Sequence, residues 1–217
     1  SGTGAGQSRT ISDYVGSTKV ATVSAWATTP DNTSVYEVRD SLSTVEGNLH
    51  ATATKGNMMQ DGPISIKGTS TLITSENNAT IDLSITDVGG TAVVNSFAGA
   101  LTITTNDNSG TDAHVTIDGG TTALVINTST IDGDLTLTSG HSSGITGSNP
   151  VTVGGNLSAT TDAGNGVINM GDLRVDGTIG LNTDGNGAAT AVNDAGFNFA
   201  ASKVGGALNA TANAGDI

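Results

Sequence analysis

Acidic and amide residues beside glycine are the residues of this chain that could do chemistry. Ca²⁺ takes six to eight oxygen ligands from carboxylates, carbonyls and water, and turns rich in Asp, Asn and Gly supply such oxygens. We therefore consider calcium as a cofactor, with five candidate ligands: Asp107, Asp112, Asp162, Asp184 and Asp194. The alternative is that Asp and Asn only make turns here, because both residue types tolerate turn conformations.

The sequence has few residues in arrangements that would support catalysis or the binding of other metals. The three histidines are scattered without companions at ligand spacing, so we expect them to be exposed bystanders: His50, His114 and His141. Asp132 and Asp134 flank one glycine and could form a carboxylate pair, although a solvated turn is the simpler interpretation. No Ser-His-Asp signature or phosphate-binding glycine loop is recognisable, and we expect the protein not to be an enzyme.

The charge balance restricts the partners. The net charge is −13, with 20 acidic residues against seven Lys and Arg in 217 residues. Such a surface repels nucleic-acid phosphates and anionic membranes. We therefore expect no nucleic-acid partner and, without a run of 18 apolar residues, no membrane insertion.

The composition also bears on location. There is no cysteine, which suits bacterial surface proteins that fold after export. The small residues 1–6 resemble a processed start from which an export signal has been removed. Together these features predict an extracellular or cell-surface protein.

A repeated phrase organises most of the chain. A β-branched residue is followed by a gap, Gly, a small residue and then alternating apolar and polar residues. The clear copies are VEGNLHAT from Val45, IDGDLTLT from Ile131, VGGNLSAT from Val153, VDGTIGLN from Val175 and VGGALNAT from Val204; looser copies start at Ile66, Val88, Phe97 and Ile117. Steps of 21 or 22 residues, as from Val45 to Ile66, Ile66 to Val88 and Val153 to Val175, indicate stacked repeats in one register.

The phrase predicts short strands joined by glycine turns. Stretches such as 101–104, 115–117 and 135–138 alternate apolar residues with threonine, as expected for half-exposed strands. We predict an all-β parallel solenoid of about 20–22 residues per turn over residues 45–217, with a β-sandwich as the alternative. The residues expected to point inward are Leu135, Leu137, Val151, Val153, Leu157, Val175, Ile179, Leu181, Val204 and Leu208.

Residues 1–44 differ from the rest of the chain and are predicted to form a cap or docking segment. They contain every Trp and Tyr of the protein, and aromatic residues are enriched at interfaces. They also carry basic residues against an acidic remainder, and residues 19–26 alternate as a strand that could add to an exposed sheet edge. The candidate interface residues are Tyr14, Lys19, Trp26 and Tyr36.

The phrase, most clearly in residues 150–160, resembles the right-handed parallel β-helix of filamentous-haemagglutinin-type adhesins. The acidic, cysteine-free composition rich in Thr, Ala, Gly and Asn is similar to that of bacterial surface-layer proteins. The resemblance covers roughly residues 45–217. It implies a folding unit and carries no functional residues with it.

These observations predict a structural subunit of an extracellular bacterial assembly: a filament, sheath or surface layer. A solenoid end exposes unpaired strand edges, which a cap or another protomer must cover. Because residues 213–217 look like a turn into another rung, we expect a second copy as the cover, in head-to-tail self-association. The alternatives are an adhesin stalk or glycan-binding module, which would bind glycans or other surface proteins, and a glycan-processing enzyme on the same fold.

Overall fold

The structure is a computed structural model that describes residues 2–3, 5–7, 9, 11–15, 17–18, 20–33, 43–88, 91–106, 110 and 112–217. The chain divides into two compact units, Ser1–Arg39 and Asp40–Ile217. Each unit has its own secondary structure. In the part of the chain that the structure describes, no helix is long and apolar enough to cross a membrane.

The first unit contains an antiparallel pair of strands, β1 (Ile11–Val15) and β2 (Val20–Val23). β2 lies inside the stretch 19–26, in which the alternation of residues predicts a strand. Hydrogen bonds also join distant parts of the unit: Gln7 Nε2 donates to the Thr28 carbonyl at 2.8 Å, and the Thr28 N–H donates to Gln7 Oε1 at 3.0 Å. This unit therefore has internal contacts of its own.

The second unit is built of short strands. In chain order they are β3 (Ser43–Val45), β4 (Leu49–Ala53), β5 (Met58–Met59), β6 (Ile64–Ile66), β7 (Ser70–Thr74), β8 (Ile81–Leu83), β9 (Asp87–Val88), β10 (Thr91–Ala92), β11 (Ser96–Phe97), β12 (Leu101–Thr104), β13 (Val115–Asp118), β14 (Leu124–Val125), β15 (Ser129–Ile131), β16 (Leu135–Ser139), β17 (Ile145–Gly147), β18 (Val151–Val153), β19 (Leu157–Thr161), β20 (Ile168–Val175), β21 (Ile179–Asn182), β22 (Ala189–Asn193) and β23 (Leu208–Ala212). They form a ten-stranded, a six-stranded and a three-stranded sheet and one separate pair, β9 with β10.

Neighbouring strands of the three larger sheets are parallel, and each pairs with its equivalent one turn later. Leu135 lies opposite Leu157, and Leu157 lies opposite Ile179, so these two turns are 22 residues each. The stack has about seven turns and no helix among its described residues. The predicted parallel β-solenoid is confirmed, and the β-sandwich alternative is wrong, because sandwich strands pair antiparallel.

The core is a thin column of aliphatic side chains inside the stack. Eight of the ten residues predicted to point inward are at most 1% exposed. Val204 is partly buried against the core. Leu208 is in register with an inward residue, as predicted, yet it is 43% exposed. Leu208 lies opposite the fully buried Ala189, but β22 covers it from one side only.

An insertion interrupts the regular stack. Ile66 pairs with Phe97, so this step is 31 residues rather than 22. The residues between them include the antiparallel pair β9–β10, in which Val88 lies opposite Thr91. The phrase copy predicted at Val88 is therefore not the start of a turn. Its alternation belongs to a hairpin, which uses the same residue types as a solenoid strand.

Candidate functional site

The glycine of the repeated phrase lies where two turns approach each other closely. The Gly68 N–H donates to the Gly47 carbonyl at 2.9 Å. A Cβ on Gly68 would lie 2.7 Å from the Gly47 carbonyl carbon, and a Cβ on Gly99 would lie 2.6 Å from the Gly68 carbonyl carbon. None of these three residues has a positive φ. Glycine is therefore required here by the absence of a side chain, not by a left-handed backbone.

A second column of glycines lies at a different corner. Gly155 donates to the Gly133 carbonyl and Gly177 donates to the Gly155 carbonyl, both at 3.0 Å. This column joins the corners that follow β15, β18 and the end of β20, whereas Gly47 follows β3. The expectation that all copies of the phrase share one register is wrong. The phrase marks corners where the backbones of adjacent turns approach closely, and several different corners have this feature.

Side-chain oxygens at the corners bind the next turn. Asp134 Oδ1 accepts a hydrogen bond from the Asn156 N–H at 2.7 Å, and Asn156 Oδ1 accepts one from the Thr178 N–H at 2.8 Å. The same contact, at 2.9–3.1 Å, joins Asn48 to Thr69, Asn57 to Thr80, Asn165 to Asn186 and Asn182 to Lys203. Successive corners are thus held in register.

Two of the predicted calcium ligands make this kind of contact. Asp184 Oδ2 accepts a hydrogen bond from the Asn165 N–H at 3.2 Å, and Asp194 Oδ1 accepts one from Asn213 Nδ2 at 2.7 Å. Both carboxylates bridge to a neighbouring turn. These contacts support the alternative that the acidic residues stabilise turns.

Asp112, another predicted ligand, contacts an amide side chain. With its amide turned to donate, Asn78 lies 2.6 and 2.7 Å from the two carboxylate oxygens of Asp112. Asp162 is exposed, and Asp107 lies outside the described residues. Within the described ranges, no three His, Asp or Glu side chains come together as a metal site. Calcium binding stays a prediction.

Asp132 and Asp134 have separate partners. Asp132 is only 4% exposed, and its Oδ2 accepts a hydrogen bond from the Asp112 N–H at 3.1 Å. Asp134, in contrast, has a side chain that is 44% exposed and accepts from the next turn. The expected solvated turn is therefore wrong for Asp132, whose Oδ2 also accepts a hydrogen bond from the Ala113 N–H at 3.4 Å.

Asp118 is a half-buried carboxyl group that the sequence pattern does not indicate. Burial raises the pKa of Asp118 above its ordinary value, the hydrogen bond from the Gly120 N–H opposes that shift, and the charge of Asp162 adds to it. The Gly120 N–H lies 2.7 Å from Asp118 Oδ1. In sequence Asp118 only ends an alternating strand, so the proximity of Asp162 two turns later carries no local signal.

The histidines lie on the outside of the stack or at a corner. His50 is exposed on β4 and the His114 side chain is 49% exposed, as predicted. The Nδ1 atom of His114 accepts a hydrogen bond from the Asp134 N–H at 2.9 Å, and that of His141 accepts one from the Ser143 N–H at 3.0 Å. In both contacts the imidazole accepts a hydrogen bond from a backbone N–H group of a turn.

The predicted interface residues belong to the first unit. The Arg9 guanidinium lies 5.3 Å from the centroid of the Trp26 ring, within the range of a cation–π contact. Tyr14 belongs to β1, while Lys19 and Tyr36 lie outside the described residues. The docking role of these four residues stays a prediction.

The ends of the ladder have unpaired edges. Among the described strands, β4 pairs only with β7 and β23 pairs only with β22. Near β23, Phe199 is 40% exposed although it lies in register with the buried Ile179. Its ring centroid is 4.6 Å from that of Phe197. Apolar side chains in the inward columns are thus partly uncovered at this end.

A groove with a mixed polar and apolar lining runs over successive turns on the flank of the stack, with a volume of about 210 Å³. Its lining residues are Ala100, Val125, Ile126, Asn127, Thr146, Gly147, Ser148, Asn149, Asn169 and Gly171. The Asn149 Nδ2 atom donates to Asn127 Oδ1 at 2.8 Å across one turn. The 22-residue spacing of these two asparagines is the sequence signal that could have pointed to the groove.

Fold and corner geometry define this protein as a parallel β-solenoid with glycine-packed corners. Residues 32–104 match a family model described as repeats of unknown function (DUF5649). The match includes the first glycine column and the inserted hairpin. No curated protein and no solved structure matches the chain.

Proposed function

We propose that this chain is a structural subunit of an extracellular bacterial assembly whose copies stack head to tail. The unpaired edges of the parallel ladder carry the proposal. Inside a parallel ladder, each strand pairs its two edges with neighbours that run in the same direction. The outer edge of β23 therefore presents the kind of surface that the outer edge of β4 on a second copy can pair with.

The end strands also match in their side chains. β4 reads Leu-His-Ala-Thr-Ala and β23 reads Leu-Asn-Ala-Thr-Ala. Leu208 and Phe199 are 43% and 40% exposed, and covering each with another turn would contribute about 1 kcal/mol. Head-to-tail contacts that do not close generate filaments rather than rings.

Composition and resemblance support an extracellular setting. The cysteine-free, acidic sequence suits an exported surface protein, and the phrase resembles that of filamentous-haemagglutinin-type β-helices and surface-layer proteins. The corner glycines and asparagines also hold successive turns in register through close packing and hydrogen bonds. A stack of this kind is suited to forming an extended assembly.

The test places one charge at the end of the ladder. Leu208→Glu should abolish assembly in sedimentation velocity, because the carboxylate would be buried at the contact. Val125→Glu is the matched control, since Val125 is 42% exposed on the flank. Equal assembly of the two variants would contradict stacking through β23.

A second variant addresses the backbone. The Asn213 N–H donates to the Asn193 carbonyl on the β22 side at 2.8 Å. Because N–H groups alternate along a strand, that of Ala212 faces outward. Ala212→Pro removes this donor and should block pairing while leaving the contacts with β22 in place. Unchanged assembly of this variant would argue against edge pairing.

A further inference from the structure

We propose that the flank groove between Val125 and Gly171 binds an extended, neutral polysaccharide. The inference is independent of head-to-tail stacking, because the groove lies on the side of the solenoid and is complete within one chain. It follows from the groove's length, its side-chain polar groups that have no partner within the described protein, and its neutral lining.

The groove has the length of a short stretch of glycan. Val125 lies opposite Thr146, and Thr146 lies opposite Asn169, so these three residues form one outward column over three successive turns. Parallel strands lie about 4.8 Å apart, which gives about 10 Å across the three turns. That distance accommodates roughly two sugar rings of an extended chain.

Hydrogen-bonding groups in the groove are available to a ligand. Within the described part of the chain, the Thr146 and Ser148 hydroxyls and the Asn169 amide have no hydrogen-bond partner, and neither does Asn149 Oδ1. Hydroxyl and amide groups both donate and accept, as sugar hydroxyls do. Val125, 42% exposed beside them, offers an apolar surface for the C–H face of a sugar ring.

The lining argues for a neutral ligand and against a peptide. None of the lining residues carries a charge, and the net charge of −13 repels anions. An extended peptide that adds as a β-strand would need an unpaired strand edge. On the C-terminal side of Val125 the backbone is already paired: the Ile126 N–H donates to the Thr146 carbonyl and the Asn127 N–H to the Leu101 carbonyl, both at 2.7 Å.

Glycine keeps the groove open. A Cβ on Gly171 would meet only the Gly147 carbonyl oxygen, at 3.9 Å. Gly171 has no positive φ, so a larger side chain fits without disturbing the core. Gly171→Tyr therefore fills the groove. Gly62→Tyr is the matched control, because Gly62 also faces open space and lies outside the groove.

The experiment is affinity gel electrophoresis of the full chain in gels containing dextran, mannan, galactomannan or mixed-linkage β-glucan, with anionic alginate for comparison. We expect at least one neutral polysaccharide to retard the parent protein. Gly171→Tyr should weaken that retardation at least tenfold, and Gly62→Tyr should leave it unchanged. Circular dichroism of each variant verifies that the fold is retained.

A milder pair of variants tests the hydrogen bonds. Asn169→Ala should weaken binding about fivefold, the value of one hydrogen bond of about 1 kcal/mol. Asn209→Ala should have no effect, because Asn209 lies in the same outward column two turns further along, beyond the groove. Retardation by none of the neutral polysaccharides, by alginate alone, or equally for the parent and Gly171→Tyr would overturn the proposal.

Discussion

Replacing a corner glycine by alanine measures how closely two turns approach. Gly68 and Gly47 occupy the same position of the phrase in adjacent turns of one column. A Cβ on Gly68 would lie 2.7 Å from both the carbonyl carbon and the carbonyl oxygen of Gly47. A Cβ on Gly47 would meet nothing within 4 Å. The two variants therefore carry the same chemical change and differ only in whether a turn lies beneath it.

The expected effects have opposite signs. Overpacking against backbone costs about 1–3 kcal/mol, so Gly68→Ala should be destabilised. Gly47→Ala should gain about 0.4–1 kcal/mol, because alanine restricts the unfolded chain and the native φ is compatible. For a unit of this size, about 2–4 °C per kcal/mol gives a difference in melting temperature of about 3–16 °C between the variants.

Thermal unfolding followed by far-UV circular dichroism, at a concentration where the protein is monomeric, measures this difference. Gly155→Ala repeats the test in the second column, since its Cβ would lie 2.8 Å from the Gly133 carbonyl carbon. If Gly68→Ala melts at or above the temperature of Gly47→Ala, close approach does not explain the glycine, and the account of the phrase is refuted.

Three further predictions concern charge, metal and the first unit. Burial raises the pKa of Asp118 above the ordinary 3.8, so this group's contribution to stability is largest below that pH and falls as pH rises through the folded pKa. Asp118→Asn keeps an oxygen that can accept the hydrogen bond from the Gly120 N–H. Because solvent screens this half-exposed site, the variant should melt only about 1–2 °C above the parent at pH 7. The gain should vanish below pH 3.8, and exposed Asp176→Asn should show none. Calcium at a hundred times its Kd would add about 2.7 kcal/mol, so a melt unchanged by chelator rejects structural calcium. A folded β-rich monomer after deletion of residues 1–30 would support a docking role for the first unit, and assemblies that persist without these residues would exclude it.

Strand positions and the core could be predicted from the sequence because they depend on local alternation. The stretches 101–104, 115–117 and 135–138 form β12, β13 and β16 as expected. Leu135 and Val153 are buried for the same reason. A period of two residues with β-branched side chains is sufficient to identify a strand that is half inside a stack.

The identity of each corner could not be predicted. The copies at Val45 and Val153 look alike in sequence, yet they lie at different corners, because glycine reports a close approach and not the corner at which it occurs. The hairpin at Val88 shows the same difficulty, since its alternation also fits a turn of the solenoid.

The candidate sites depend on contacts between turns. The groove depends on the absence of a side chain at Gly171, beside an asparagine pair, an arrangement that appears only once the turns are stacked. The charge of Asp162 likewise acts on Asp118 across two turns. Sequence spacing of 22 residues shows which positions can meet, but not which corners leave room for a ligand.

Electron microscopy of the purified full chain, with fibre diffraction from concentrated samples, tests the proposed assembly most directly. Stacking of solenoids through β23 and β4 predicts unbranched filaments with a strong axial reflection near 4.8 Å, because the strand spacing continues across each contact. Leu208→Glu should remove the filaments, and Val125→Glu should retain them. Particles that remain single at every concentration, or filaments without the 4.8 Å axial reflection, would contradict head-to-tail stacking.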